Sequence, residues 1–173
     1  MRVTECDLPL ASVLDRRIVD SAYFRDSYRA PLLQARESMV GIFFAIFGHH
    51  PAWMKALLII RNWIASRCGL DVPTASEILN VSRNERYQVG DLIGPWPIFA
   101  LTETELVAGR DNKHLDFRLS LLRVSHDGAP SVVVSTICSV HNWSGKIYLF
   151  FIVPFHKWGV KRLISRAMIL GRL

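Results

Sequence analysis

The stretch HLDFRLSLLRVSHDGAPSVVVSTICSVHNWSGKIYLFFIV, residues 114–153, decides the fold. Apolar and polar side chains alternate from His114 to Val124, the period of a half-buried strand, and a β-branched run follows from Val132 to Val140. Between them stands Asp127-Gly128. A type I′ reversal needs positive φ at both central positions, and Asp-Gly between alternating runs is a strong hairpin signal. The register follows: His126 pairs with Ala129, Leu122 faces Val133, Ser120 faces Ser135, Arg118 faces Ile137, Asp116 faces Ser139 and His114 faces His141. Asn142-Trp143-Ser144-Gly145 reads as a second turn into a third strand, Ile147 to Val153. That strand would set His141 opposite Lys146 and Ser139 opposite Tyr148, and Pro154 would end it.

Side chains of these strands divide between two faces. One carries Leu115, Phe117, Leu119, Leu121, Val132, Val134, Thr136, Cys138, Val140, Ile147, Leu149, Phe151 and Val153, and should pack on helices or line an apolar cavity. The other gathers His114, Asp116, Arg118, Ser120, Ser135, Ser139, His141 and Tyr148, with Leu122, Val133, Phe150 and Ile152 at its far end. A carboxylate beside two imidazoles can orient a ring and raise its basicity, which makes a general base. His114, Asp116 and His141 are the candidate catalytic residues, and Arg118 could fix Asp116 or hold an anionic group. The same pattern also describes the solvent side of an ordinary antiparallel sheet. Phe150 and Ile152 suggest that the N-terminal segment, a subunit or a ligand covers part of it.

Outward from this stretch the periodicities change. Asp26 to Leu32 reads as a strand, and Gln34 to Phe47 as a largely buried helix with Met39, Ile42, Phe43 and Ile46 at helical spacing. Pro51 suits the first turn of a second helix, which runs to about Arg67 with Trp53, Leu57, Ile60 and Ile64 on one face and Gly69 as its stop. Asp71 to Ser82 reads as a loop or short helix. Tyr87 to Ile93 and Ile98 to Thr102 flank the stiff turn Gly94-Pro95-Trp96-Pro97, and Glu105 to Arg110 is a further strand. Lys157 to Leu170 closes the chain as a helix with Trp158, Val160, Leu163, Ile164 and Ala167 apolar. The expected class is α+β: a curved antiparallel sheet gripping a long C-terminal helix, with two helices after the first strand. This is the helix-grip architecture of START and Bet v 1-like proteins. Residues 1–173 read as one domain, with 1–22 as an N-terminal extension.

The 173 residues carry 21 Lys and Arg against 15 Asp and Glu, a net charge of +6, and half of them are hydrophobic. That excludes a disordered chain. The start carries acids and no apolar h-region, so no secretory leader is expected. Three scattered cysteines, Cys6, Cys68 and Cys138, form no zinc or redox spacing and imply reduced thiols in a cytoplasm, with Cys138 a core thiol. Ser38 to Met54 holds no charged residue, but Pro51 divides it, so two packed helices explain it better than a membrane span. A helical pair lying on a membrane surface fits the same pattern. Lys157, Lys161, Arg162, Arg166 and Arg172 make a basic C-terminal patch, which suits phosphate or anionic lipid, or is a solvated helix face. No nucleic-acid motif accompanies it. No phosphate loop, dinucleotide fingerprint or nucleophile elbow is present, and the adjacent His49-His50 share no face for a metal, so no cofactor or metal is expected.

Several segments in order resemble one bacterial family, domain of unknown function 2867. They are HPAWMKAL (50–57) running on to Arg61-Asn62, GDLIGPWP (90–97), HLDFR (114–118), His141-Asn142 and Pro154-Phe155-His156. The similarity spans about Tyr28 to Met168. It implies kinship with the helix-grip (SRPBCC) superfamily and adds weight to His114, Asp116, Arg118, His141 and His156. Some relatives are fused behind a nucleotide-binding reductase domain, so a reductase partner is implied by analogy. A cofactor role does not carry over.

The leading functional expectation is a binding module that holds a hydrophobic, lipid-like small molecule between sheet and C-terminal helix. Arg118, Ser139, Tyr148, His156 and Trp96 are its candidate ligand contacts. The second is a cyclase, dehydratase or hydrolase using His114 or His141 as base, Asp116 as orienter and Arg118 or Tyr148 at the oxyanion. The third is an interaction domain that pairs as a homodimer through Phe150 and Ile152.

Overall fold

A computed structural model describes residues 2–33, 37–49, 51–67, 69, 74–79 and 84–173. In chain order the elements are β1 (Thr4–Glu5), α1 (Arg16–Asp20), β2 (Phe24–Pro31), α2 (Met39–Phe47), α3 (Ala52–Arg67), α4 (Ala75–Leu79), β3 (Leu92–Ile93), β4 (Trp96–Leu101), β5 (Glu105–Asp111), β6 (Leu115–His126), β7 (Ala129–Val140) and α5 (Trp143–Ile169). Asp127 and Gly128 sit at φ of 51° and 76°, the geometry a type I′ hairpin requires. The β6–β7 register is the expected one, from His126↔Ala129 through Leu122↔Val133 and Arg118↔Ile137 to Asp116↔Ser139. The sheet continues in the order β1-β2-β7-β6-β5-β4-β3, each pair antiparallel. The class is α+β, with the C-terminal helix packed on one sheet face.

The largest departure from the sequence reading is the stretch after His141. It is helix: α5 begins at Trp143, so there is no strand from Ile147 to Val153 and no pairing of His141 with Lys146 or of Ser139 with Tyr148. A continuous apolar run satisfies either period, and here the cap decides. The Asn142 side chain accepts the Gly145 amide at 3.1 Å and closes the first turn. Pro154, expected to end a strand, lies inside the helix and leaves the Phe150 carbonyl without its usual amide partner. The inner stripe of the helix offsets that loss by packing: Leu149, Val160, Leu163, Ile164 and Ala167 are buried.

The core lies between the apolar sheet face and the helices. Ser38 caps α2 by accepting the Gly41 amide, and Met39, Ile42, Phe43 and Ile46 then pack with Leu119, Leu121, Val132, Val134 and the second half of α5. The inward face of α3 carries Met54, Leu58, Arg61 and Ala65; of the expected stripe Trp53 and Ile64 pack beside it, while Ile60 is exposed. Tyr87 to Ile93 contributes only the two paired residues of β3, because the chain turns before it, with the Asp91 amide donating to the Gln88 carbonyl and Gly90 at φ 96°. Within the 71–82 segment Thr74 and Glu77 cap α4 reciprocally, and these hydrogen bonds lower the Glu77 pKa. His50 and Cys68 lie outside the described residues.

The second sheet face is not bare. The N-terminal segment crosses it, placing Leu14 and Val19 on Val107 and Ile137. Glu105 fastens this cover. Fully buried, its carboxylate accepts the Ser12 hydroxyl, the Val13 amide and the Ser120 hydroxyl, each at 2.6 Å. Ser139 donates to the Ile18 carbonyl at 3.1 Å, a second tie. We expect Glu105→Ala to lower unfolding free energy by about 2 kcal/mol, since it strands the buried Ser120 hydroxyl and releases the part-buried ties to Ser12 and Val13. Urea denaturation, with hydrogen exchange at the Val13 amide, reads it; an unshifted midpoint would refute the fastening role.

Candidate functional site

Where α3, α4 and the first half of α5 stand over the start of β6 and the end of β7, the core opens into a cavity of about 250 Å³. Its walls are apolar: Phe24, Leu115, Phe117 and Cys138 from the sheet, Met54 and Leu58 from α3, and Leu149, Ile152 and Val153 from α5. Trp96 closes one end, its ring edge-on to Phe43 and tilted against Phe117. Few polar groups reach this space, and they come from separate elements.

On one wall Arg61 donates its Nε to the Tyr148 hydroxyl at 3.3 Å. Tyr148 accepts from Arg61 and so keeps its own O–H to give. On the opposite strand side His156 lines the cavity edge-on to Phe24. Its Nε2 lies 3.4 Å from Oδ1 of Asp26, whose other oxygen accepts the Tyr28 hydroxyl at 2.9 Å. Asp26 is buried on the helix-facing side of β2, between Phe24 and Tyr28 on that strand face. Burial and the neighbouring Asp26 push the Tyr28 pKa up, so its hydroxyl stays a donor. A carboxylate so fixed can hold the His156 ring in one orientation and tautomer. Arg110, Asn112 and Thr136 complete the polar lining.

The residues singled out from sequence separate into two groups. Trp96, Tyr148 and His156 line the cavity. The rest lie elsewhere. His141 Nε2 meets Asp116 Oδ1 at 3.0 Å, so the proposed imidazole–carboxylate neighbours are in contact, on the sheet face turned away from the cavity. His114 does not join them: its Nδ1 lies 2.9 Å from Nδ2 of Asn142, whose Oδ1 caps α5. Nor does Arg118. It makes a bidentate pair with Asp111 and lies over the Phe99 ring at 3.7 Å. Ser139 holds the N-terminal segment. Phe150 and Ile152, expected on one strand face, lie on different sides of α5; Phe150 is exposed and Ile152 lines the cavity.

Sequence reasoning passed over Asp26, Arg61 and Glu105. A signal existed for Asp26: it alternates with Phe24, Tyr28 and Ala30 in a strand whose core side those residues mark. An acid on that side must be paired or functional. Arg61 is a charge on the inward stripe of an apolar helix, the same kind of signal. Cys138 is the core thiol expected. Burial, aided by Asp26, pushes its pKa up to about 12. Among the described residues no group of three or more His, Cys, Asp or Glu could hold a metal ion, and no helix is long and apolar enough to cross a membrane.

A raised thiol pKa favours the native state only while the thiol stays protonated. Its contribution is therefore complete below the ordinary value of 9.0 and is lost as pH rises toward about 12. We expect stability to fall by about 1.4 kcal/mol per pH unit over that window, on account of Cys138. Alkaline urea titrations of wild type and Cys138→Ala measure it: the variant should show a shallower decline, and identical slopes would contradict the assignment.

Among comparisons with known proteins, the model of the family described as "Protein of unknown function (DUF2867)" matches residues 18–163. No curated protein and no solved structure matches the chain.

Proposed function

The chain belongs to the DUF2867 family, and we propose that it is a binding module for a small amphipathic molecule held between sheet and C-terminal helix. The observation that carries this reading is the contrast inside the cavity: apolar walls from sheet and helices, and two donors, Arg61 and Tyr148, meeting at 3.3 Å on one side. Ligand sites are typically apolar with a few convergent polar groups. An arginine and a tyrosine hydroxyl together suit a carboxylate or another oxygen-rich head, while the remaining walls suit a short chain or ring. A cavity of about 250 Å³ favours a compact ligand over a two-chain lipid. We read the architecture as helix-grip, because β2 returns beside β7 after two helices and α5 lies across the sheet.

Octanoate is the probe, with octanol as its uncharged counterpart. We expect the chain to bind octanoate more tightly than octanol by calorimetry. Arg61→Met should weaken octanoate about tenfold with little effect on octanol, as removal of one charged hydrogen-bonding partner does. Leu58→Trp, which fills the cavity, should abolish both. If neither compound binds and native mass spectrometry of gently purified chain shows no bound molecule, the reading fails.

The Asp26–His156 pair supports a second reading, an acid–base enzyme acting on the bound molecule. An imidazole steadied by a buried carboxylate at the wall of an apolar cavity is the arrangement that moves a proton to or from a ligand. Solvent deuterium entering a bound acid or ketone, seen by NMR and lost in His156→Gln without loss of binding, is the expected signature. Exchange unaffected by that substitution would exclude it.

A further inference from the structure

Helix α5 is apolar on both sides. Opposite its packed stripe, Trp143, Ile147, Phe150, Phe151, Phe155 and Trp158 recur three, four or one residue apart and make one stripe. All six are exposed, from 39% at Ile147 to 74% at Phe150. A soluble helix ordinarily turns charge to this side. The charge on the helices themselves has one sign. Neither α3 nor α5 contains an Asp or Glu, whereas α5 carries Lys146, Lys157, Lys161, Arg162 and Arg166. Lys161 meets Glu5 at 3.2 Å. Lys146, Lys157 and Arg162 instead lie over the rings of Trp143, Phe24 and Trp158, 5.4 to 5.9 Å from their centroids. Helix α3 touches α5 through Trp53 and Trp158, whose ring centroids are 4.8 Å apart, and adds exposed Trp63 with Arg67 over its ring.

We propose that this face docks on the surface of an anionic lipid bilayer. Aromatic side chains settle at the headgroup boundary, and cations beside them meet lipid phosphates. Charge complementarity selects this occupant over a second copy of the chain. A twofold contact through the same stripe would bring the cations of both helices together with no carboxylate from either to meet them. The inner side of the same helix turns lines the cavity, so the docked chain would hold its cavity one helix width from the lipid. The proposal does not depend on what the cavity holds.

Vesicle flotation of the full chain tests it, using phosphatidylcholine alone or mixed equally with phosphatidylglycerol. We expect flotation with the mixed vesicles, at least tenfold weaker partition into the neutral ones, and weakening as salt is raised. Phe150→Ser should lower partition about tenfold, the scale set by keeping one large apolar side chain out of lipid. Phe150 touches solvent over most of its surface, so this variant should retain the wild-type thermal melt, and Lys146→Glu gives an independent second variant. A folded chain that stays with the buffer, or floats equally with both vesicles, overturns the proposal. So does light scattering that finds a dimer which Phe150→Ser converts to monomer.

Discussion

The corner where β7 becomes α5 is the constraint on which the rest depends. Asn142 serves both sides of it. Its Oδ1 caps the helix at the Gly145 amide, while its Nδ2 reaches the Lys113 carbonyl and Nδ1 of His114 on the loop before β6. Gly145 sits so close that a Cβ there would lie 2.6 Å from the His114 carbonyl oxygen. The helix is thus pressed against the loop that leads into β6, which fixes the direction in which it departs. That direction brings Tyr148, Ile152 and His156 over the sheet and puts Phe150 on the far side.

Two polar systems occupy the two faces of one sheet, and they differ in kind. On the outer face Glu105, Ser120 and Ser139 are spent on the N-terminal segment. They satisfy each other and the backbone, which is what buried polar groups must do to be tolerated. The Asp116–His141 pair lies at the margin of that face. On the inner face Arg61, Tyr148 and His156 border a space instead of filling one, and Asp26, held by Tyr28, stands behind His156. Polar groups placed in an otherwise apolar interior at the edge of a cavity are the better sign of recognition.

The sheet was legible in the sequence wherever a local rule set it. Asp127-Gly128 admits one reversal geometry, and alternation then assigns every side chain of β6 and β7 to its face. The helices α2 and α3 were legible as helices from their apolar spacing and from Pro51 between them, but α2 starts at Met39, after its Ser38 cap, and the inward side of α3 is turned away from Ile60. The site was legible only in part. Residues 147–153 are apolar throughout, and periodicity cannot choose helix or strand for such a run. The choice fell to Asn142 and Gly145, which also suit a turn. Read as a strand, the run sets Tyr148 beside Ser139 and makes the polar outer face the centre of chemistry. Arg61 and Asp26 escaped notice because each is one charge in an apolar setting, and its meaning depends on a partner distant in sequence.

The place of β2 in the sheet governs the order in which the chain can assemble. Its neighbours are β1, at the very start, and β7, so Phe24 has no central-strand partner until Cys138 has been made. During synthesis the opening third must wait, with Tyr28 and the apolar side of β2 unsheltered, while the β5–β6–β7 meander forms by short reversals. Closure of so long a loop comes late and slowly. The nascent chain is therefore most prone to mispair while that lone strand waits for its neighbour.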